Sequence, residues 1–175
     1  MAATSYAIAL GSNRRSRYGS PAETLRAATA ALAGVKAVST IRATPALGPA
    51  GRCFANALAI VERDLEPDAL LAELKAIERA FGRRAGRRWG PRVLDLDIIL
   101  WSQGAWGGPG PIIPHPEFRG RRFVLQPLAE LVPGWRDPLT GATMRQLLAR
   151  LTAPRPHATS LIVRDRSTIV LRSRA

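Results

Sequence analysis

Two carboxylates, Asp95 and Asp97, stand one residue apart inside an apolar segment. The segment has the composition of a β-strand, and successive side chains of a strand point to opposite faces. Both carboxylates should therefore leave one face, while Leu94, Leu96 and Ile98 leave the other. Two neighbouring acids in a half-buried strand repel each other and are costly to desolvate. A hard cation removes that cost, and Mg²⁺ is commonly held by one or two carboxylates together with substrate phosphates and water.

Arginines lie immediately before these carboxylates. Residues 83–92 contain five arginines and a Gly-Pro turn, and a guanidinium group can bind two phosphate oxygens at once. The pattern indicates magnesium-assisted chemistry on a phosphate compound. The alternative is an exposed edge strand that binds nothing, and the Arg-Trp-Gly-Pro-Arg run at 88–92 argues against it. The chain has no G-x-x-x-x-G-K-[ST] motif, so side chains and metal rather than a glycine cradle would hold the phosphates.

Local signals predict the elements that position these residues. Ser20-Pro21-Ala22-Glu23 predicts a helix start, and Pro67 begins a second segment with apolar residues at helical spacing. Gly34 and Gly82 are suited to end the two helices. The predicted strands are 5–10, 37–43, 54–62 and 94–101, and the predicted helices are 21–32 and 67–81.

This order is typical of an α+β fold with a ferredoxin-like βαββαβ core, in which helices pack on a mostly antiparallel sheet. Pro/Gly-rich loops are expected at 44–51 and 104–111. A short helix at about 143–151 would close a single domain that covers residues 1–151. The basic extension 152–175 alternates apolar and polar residues over 161–171, which predicts either an added strand or a partly ordered arm.

The composition restricts the class of protein. The chain has 175 residues, 46% of them hydrophobic, and carries a net charge of +13. All but two of its 26 basic residues are arginine, which indicates either an anionic partner such as nucleic acid or a genome rich in Ala, Arg and Gly codons. The single cysteine, Cys53, excludes an internal disulfide and suits a cytoplasmic protein. No apolar stretch is long enough for a membrane span, and no signal peptide is recognisable.

Several motifs together resemble those of the hydroxymethyl-dihydropterin pyrophosphokinase family over residues 7–151. The most specific are R-W-G-P-R-x-L-D-L-D at 88–97 and P-H-P-x-F at 114–118. The supporting motifs are G-S-N at 11–13, T-P-A-L-G-P at 44–49, F-x-N at 54–56 and E-x-x-x-G-R at 78–83.

The resemblance implies a transfer of pyrophosphate from ATP to the hydroxymethyl group of 6-hydroxymethyl-7,8-dihydropterin, which yields AMP and the pterin diphosphate needed for folate biosynthesis. It implies that two Mg²⁺ ions bind Asp95 and Asp97, and that Arg83 and Arg92 act with them in catalysis. The implied ATP-binding residues are Leu71, Glu78, Arg83, Arg84, Arg88, Trp89, Arg92, Ile98, His115 and Arg121. The implied pterin-binding residues are Thr44, Pro45, Ala46, Leu47, Gly48, Phe54, Asn56, Trp89 and Phe123, with the two phenylalanines on either side of the ring.

The sequence departs from the family pattern before Pro114, where Gly110 and Ile112 replace an arginine and a threonine that touch the nucleotide. Either ATP binds more weakly, or Arg119 or Arg122 substitutes. We therefore keep two alternatives to a monomeric cytoplasmic enzyme. One is a family member that binds pterin with weak or lost catalysis, and the other is a basic nucleic-acid-binding module. Acids among the arginines argue against the second, because they would repel a phosphate backbone in the absence of metal.

Overall fold

The computed structural model describes residues 3–44, 53–82, 92–108 and 110–154, and the backbone of 163–164 and 168–169. Its strands are β1 (Thr4–Ser12), β2 (Val35–Val38), β3 (Arg42–Thr44), β4 (Phe54–Arg63), β5 (Asp95–Trp101), β6 (Val163–Arg164) and β7 (Thr168–Ile169). Its helices are α1 (Pro21–Ala31), α2 (Pro67–Ala80), α3 (Arg122–Leu131) and α4 (Met144–Thr152), with a 3₁₀ turn at Phe118–Gly120.

The first five strands form one antiparallel sheet. β1 pairs with β4 on one side and with β5 on the other, while β2 and β3 both pair with β4. The predicted α+β architecture with an antiparallel sheet is confirmed. Within the described residues β5 is an edge strand, so the N–H and C=O groups along its outer side need partners other than a strand.

Helices cover both faces of this sheet. The alternation of side chains along β1 sends Tyr6 and Leu10 towards α1 and α2, and Ala7 towards α3 and α4. Local signals start the first two helices: Ser20 and Glu23 form a reciprocal capping box in α1, and Pro67 opens α2. The helices α3 and α4 thus pack on the face of the sheet to which Asp95 and Asp97 also point.

The predicted strand at 37–43 is wrong in one respect, because the structure has two short strands there instead. β2 ends at Val38 and β3 begins at Arg42. Between them, Ser39 N–H donates to the Leu58 carbonyl at 2.9 Å, and the Ser39 hydroxyl accepts from Leu58 N–H at 2.9 Å. A side-chain oxygen thus takes the place of one backbone acceptor and interrupts the ladder.

Residues 122–131, to which the sequence analysis assigned no element, form α3. Within the extension, the described residues 163–164 and 168–169 pair with each other as a separate two-stranded sheet, β6–β7. Among the helices of the described residues, we find none with the length and apolar character required to cross a bilayer.

The connection between α3 and α4 is organised around a buried carboxylate. Asp137 is fully buried and accepts two hydrogen bonds from Arg119, at 2.6 and 2.7 Å. It also accepts from the Thr140 hydroxyl at 2.5 Å and from Leu139 N–H at 3.2 Å. Burial alone raises the pKa of Asp137, but these hydrogen bonds outweigh it and lower the pKa below its ordinary value.

We expect Asp137→Ala to lower the free energy of unfolding by about 3 kcal/mol, since it leaves the Arg119 charge without its partner. The melting temperature should fall by roughly 10 °C, as calorimetry would measure. Glu130→Ala is the control, because it breaks the exposed pair with Arg42 and should cost less than about 1 kcal/mol. Equal losses in the two variants would contradict the assignment.

Asp137 should also contribute to the dependence of the free energy of unfolding on pH in the acid range. A folded-state pKa below the unfolded value of about 3.9 contributes stability above that value, and the contribution disappears as the pH falls through the folded pKa. In Asp137→Asn, the free energy of unfolding should therefore decrease less than in the wild type as the pH falls through this range.

Candidate active site

Asp95 and Asp97 of β5 lie on one face of the sheet. The helices α3 and α4 cover another part of this same face, near Ala7 and Ile99. Leu94, Leu96 and Ile98 belong to the core cluster on the opposite face, so the predicted alternation is confirmed. Burial raises the pKa of the Asp97 carboxyl, and the neighbouring Asp95 raises it further. In the absence of a cation, the pair is therefore electrostatically unfavourable.

The strand register places the pterin-side and metal-side candidates in one row across the sheet. Gly11 of β1 lies opposite Asn56 of β4 on one side and opposite Asp95 of β5 on the other. Residues that pair directly across strands point to the same face, and adjacent strands are about 4.8 Å apart. Asn56 and Asp95 thus flank a residue without a side chain, which leaves an open strip of sheet between an amide and a carboxylate.

Arg92 lies beside this row and is held from two directions. Its guanidinium forms an ion pair with Asp95. Its backbone N–H donates to the Asn13 side-chain oxygen at 2.8 Å, and its carbonyl accepts from Asn13 N–H at 3.1 Å. The buried Asn13 therefore fixes the position at which the arginine-rich segment joins β5. The resemblance gave Asn13 no role, and a buried amide at the end of a strand was the signal that could have identified it.

His115 and Arg121 approach the carboxylates from the segment before α3. His115 N–H donates to the Ile99 carbonyl of β5 at 3.0 Å, and its Nδ1 accepts from Glu117 N–H at 3.2 Å. Burial lowers the pKa of His115 although the Asp97 charge opposes the shift. A ring nitrogen that accepts a hydrogen bond carries no proton, so the neutral ring presents Nε2–H as its donor.

Arg121 carries a positive charge into the same area. Its guanidinium forms an ion pair with Glu117 and lies 5.9 Å from the centre of the Phe123 ring. The Arg121 charge also contributes to the lowered pKa of His115. The structure thus brings Arg121, which is expected to bind phosphate, next to Phe123, which is expected to contact the pterin.

On the pterin side, β3 and β4 place three candidates together. Thr44 lies opposite Phe54, and the Asn56 side-chain amide donates to the Thr44 hydroxyl at 2.6 Å. Phe54 and Phe123 are both partly exposed, as a ring that stacks on a ligand must be.

Three further candidates for contact with the nucleotide differ in how exposed their side chains are. Leu71 is partly exposed at the margin of the core, whereas Ile98 is only 4% exposed and lies within it. Glu78 is 1% exposed, and its Oε1 accepts from Lys75 Nζ at 2.8 Å and from Leu96 N–H at 2.7 Å. A nucleotide contact of these three residues stays a prediction. The remaining candidates lie outside the described residues: Pro45, Ala46, Leu47, Gly48, Arg83, Arg84, Arg88 and Trp89.

Gly110, one of the two positions that depart from the family pattern, packs against α2. A Cβ atom on Gly110 would collide with Oδ1 of Asp68, so this position lies directly against the first turn of α2. Arg119, one of the two suggested substitutes, already binds both carboxylate oxygens of Asp137 through Nε and Nη2 of its guanidinium. Arg122 instead borders a cleft of about 380 Å³ between α3 and α4.

The donor set fits a magnesium ion that shares its coordination with a substrate. Asp95 and Asp97 supply two carboxylates, and their mutual repulsion would be relieved by a divalent cation. Within the described residues, no group of three or more histidine, cysteine, aspartate or glutamate side chains could enclose a metal by itself. Phosphate oxygens and water would have to supply the remaining ligands.

Comparison with known proteins decides the family. The profile of the 7,8-dihydro-6-hydroxymethylpterin-pyrophosphokinase family matches residues 7–133, which is most of the chain. The chain belongs to this family. As a member it is a pyrophosphokinase of folate biosynthesis, and the nucleic-acid-binding alternative is not favoured.

Two curated relatives carry the name 2-amino-4-hydroxy-6-hydroxymethyldihydropteridine pyrophosphokinase. The Synechocystis protein is 37% identical over 149 residues, which cover 82% of this chain and 74% of the relative. The Pseudomonas aeruginosa protein is 40% identical over 148 residues, which cover 81% of this chain and 88% of the relative.

A solved structure of wild-type Plasmodium falciparum HPPK-DHPS with pteroate has a similar fold. It superposes with a TM-score of 0.61 at 12% identity, covering 85% of this chain. This chain spans 42% of the Plasmodium chain, and the likeness concerns the fold alone.

Proposed function

We propose that the chain transfers the pyrophosphoryl group of ATP to the hydroxymethyl oxygen of 6-hydroxymethyl-7,8-dihydropterin, with AMP as the second product. The observation that carries this proposal is the row formed by Asn56, Gly11 and Asp95. It sets an amide suited to the edge of a heterocycle beside a carboxylate suited to a phosphate-bound cation. Asn56 and Asp95 are two strand spacings apart, or roughly 10 Å. This separation suits a small bicyclic substrate whose hydroxymethyl arm points towards the phosphates.

On the pterin side, the ring would lie over the strip left open by Gly11. Phe54 and Phe123 would contact its two faces, since aromatic side chains stack favourably on flat heterocycles. Asn56 and the segment 44–48 would hydrogen-bond to the ring edge. The Thr44 hydroxyl supports this role of Asn56, because its bond to the amide nitrogen fixes the amide's orientation and leaves the carbonyl oxygen for a ring N–H.

On the phosphate side, the chain would act through position and charge. The pterin hydroxyl oxygen forms a bond to the β-phosphorus, the bond from that phosphorus to the oxygen of AMP breaks, and the hydroxyl proton passes to solvent. Arg92 would hold the transferred group and balance the charge that develops during the transfer, with Arg83 in the same role. Arg121 and the Nε2–H of His115 would bind further phosphate oxygens, and Arg84, Arg88, Trp89, Leu71, Glu78 and Ile98 would complete the nucleotide site.

Asp95 and Asp97 would hold two Mg²⁺ ions, which neutralise phosphate charge and orient the triphosphate when bound. The raised pKa of Asp97 supports this assignment, because a carboxylate that is unfavourable alone is suited to a cation. We further propose that the protein acts as a monomer in the cytoplasm. Analytical ultracentrifugation would test the first of these two points and fractionation of the source cells the second.

The function is tested by measuring AMP release from ATP and Mg²⁺ with and without the pterin. We expect release that depends on the pterin, accompanied by an equal amount of pterin diphosphate. Tight pterin binding without AMP formation would instead support the binding-only alternative. In that case Ile112→Thr would be the first replacement to test, and Gly110→Arg the second, because a side chain at Gly110 must also displace Asp68 Oδ1.

A further inference from the structure

The outer edge of β5 is closed by a charged pair from α2. Lys75 Nζ lies 2.8 Å from Glu78 Oε1, and that oxygen accepts the Leu96 N–H at 2.7 Å. Lys75 Nζ also reaches the Leu96 carbonyl at 3.4 Å. The outward-pointing N–H and C=O of Leu96, a residue of an edge strand, are thus contacted by one lysine and one glutamate that are three residues apart on a helix.

This contact lies between the two acids of the candidate metal site. Leu96 opposes Leu10 in the register, whereas Asp95 and Asp97 oppose Gly11 and Ala9. In an antiparallel ladder, outward-pointing and inward-pointing pairs alternate. Because Leu96 points its N–H and C=O outward, the backbone groups of Asp95 and Asp97 point inward to β1. Lys75 and Glu78 therefore hold the one residue whose position sets the spacing of both carboxylates.

The burial of the pair makes its contacts hard to replace. The Glu78 side chain is 1% exposed, so water cannot take the place of Lys75 or of the Leu96 N–H beside its carboxylate. The Lys75 charge also opposes the rise in the pKa of Asp97. The amine thus bonds to the glutamate and lies close enough to stabilise the ionised form of the distal aspartate.

We propose that Lys75 is a positioning residue for pyrophosphoryl transfer, which acts through Glu78 and the Leu96 peptide to fix the geometry of Asp95 and Asp97. Lys75 itself need not touch substrate. Groups that orient metal-binding carboxylates usually change activity by about 10- to 100-fold when they are removed. This inference rests on the proposed role of the two aspartates, whereas the contact with Leu96 can be tested without any activity.

The experiment compares Lys75→Met with Lys36→Met in the full chain. Lys36 is the only other lysine, and it forms an ion pair of the same length, 2.8 Å, with Glu62 on the exposed surface. We expect Lys75→Met to lower kcat about 30-fold while KM for the pterin changes by less than about threefold. Lys36→Met should leave both constants unchanged, and Lys75→Arg should recover most of the lost kcat because it retains the charge. Unchanged kcat in Lys75→Met would overturn the proposal.

Amide hydrogen exchange at Leu96 provides a readout that does not depend on turnover. Lys75→Met removes the ammonium contacts with Glu78 Oε1 and with the Leu96 carbonyl, so α2 should hold this residue of β5 less firmly. Exchange at Leu96 should then become at least about tenfold faster, while core amides of β1 and β4 keep their protection. Protection at Leu96 equal to that of the wild type would contradict the proposal, even if the wild-type enzyme proved inactive for another reason.

Discussion

Replacing Asp97 by asparagine or alanine should lower kcat by at least about 10³-fold, because the variant loses one of the two carboxylates that would hold the magnesium ions. A metal ion in such a site contributes several kcal/mol to stabilisation of transition-state charge, and each 1.36 kcal/mol is about tenfold in rate. Steady-state assays of AMP formation at saturating ATP and pterin would measure the loss.

The same variant should not lose stability, and this distinguishes a functional carboxylate from a structural one. Burial and the nearby Asp95 raise the pKa of Asp97, so ionisation of this carboxyl costs more in the folded protein than in the unfolded chain. Asp97→Asn removes that charge at nearly constant volume. We therefore expect a melting temperature equal to or above that of the wild type in the absence of metal.

Two further measurements would complete this test. Mg²⁺ together with an ATP analogue should raise the melting temperature of the wild type, since a ligand that binds only the folded state stabilises it. The rise should be much smaller in Asp97→Asn. Glu62→Gln is the matched control, because it changes an exposed carboxylate of β4 to an amide and should behave as the wild type in every assay. Full activity in Asp97→Asn would refute the metal assignment.

Those parts of the fold that depend on neighbouring residues were predictable from the sequence. The capping residues of α1 and the proline that opens α2 determine where each helix begins, and the predicted bounds agree with the structure to within one residue. The alternation of acids and apolar side chains along β5 likewise predicted which face each side chain takes. These patterns are local, because a cap or an alternating strand is complete within one or two turns of chain.

Features that depend on distant residues were not predictable. The break between β2 and β3 arises from hydrogen bonds between Ser39 and Leu58, which are nineteen residues apart. The row across the sheet joins Gly11, Asn56 and Asp95, and no local pattern specifies the register that aligns them. The motifs named most candidates by resemblance, but only the pairing of strands shows why an amide and a carboxylate flank a glycine.

Lys75 and Asn13 show the same limitation at the level of single residues. In the sequence, Lys75 is one charge on an amphipathic helix, and such charges usually face solvent. Its partners, Glu78 and the Leu96 peptide, become apparent only when α2 is packed against the edge of β5. Asn13 acquires its partner in a similar way, because Arg92 lies 79 residues further along the chain.

Arg92→Ala should lower kcat by about 10²- to 10³-fold, while the dissociation constant of the pterin changes by less than about threefold. The guanidinium pairs with Asp95, and the Arg92 backbone is held by Asn13. The protein itself therefore positions the side chain beside the carboxylates. A donor that is positioned in advance stabilises charge as it develops without the cost of reorganisation, so its loss should appear in the rate rather than in pterin affinity.

Three comparisons make this prediction specific. Arg92→Lys should recover only part of the rate, because an ammonium group keeps the charge but cannot bind two oxygens in the planar geometry of a guanidinium. Arg26→Ala removes an exposed arginine of α1 and should leave kcat unchanged, which controls for the loss of one positive charge from a basic protein. Pterin affinity that falls in parallel with kcat would assign Arg92 to substrate binding, and an unchanged kcat would remove it from the mechanism. The expected separation of rate from affinity follows from the structure, since Arg92 contacts the acid at one end of the row while Asn56 lies at the other.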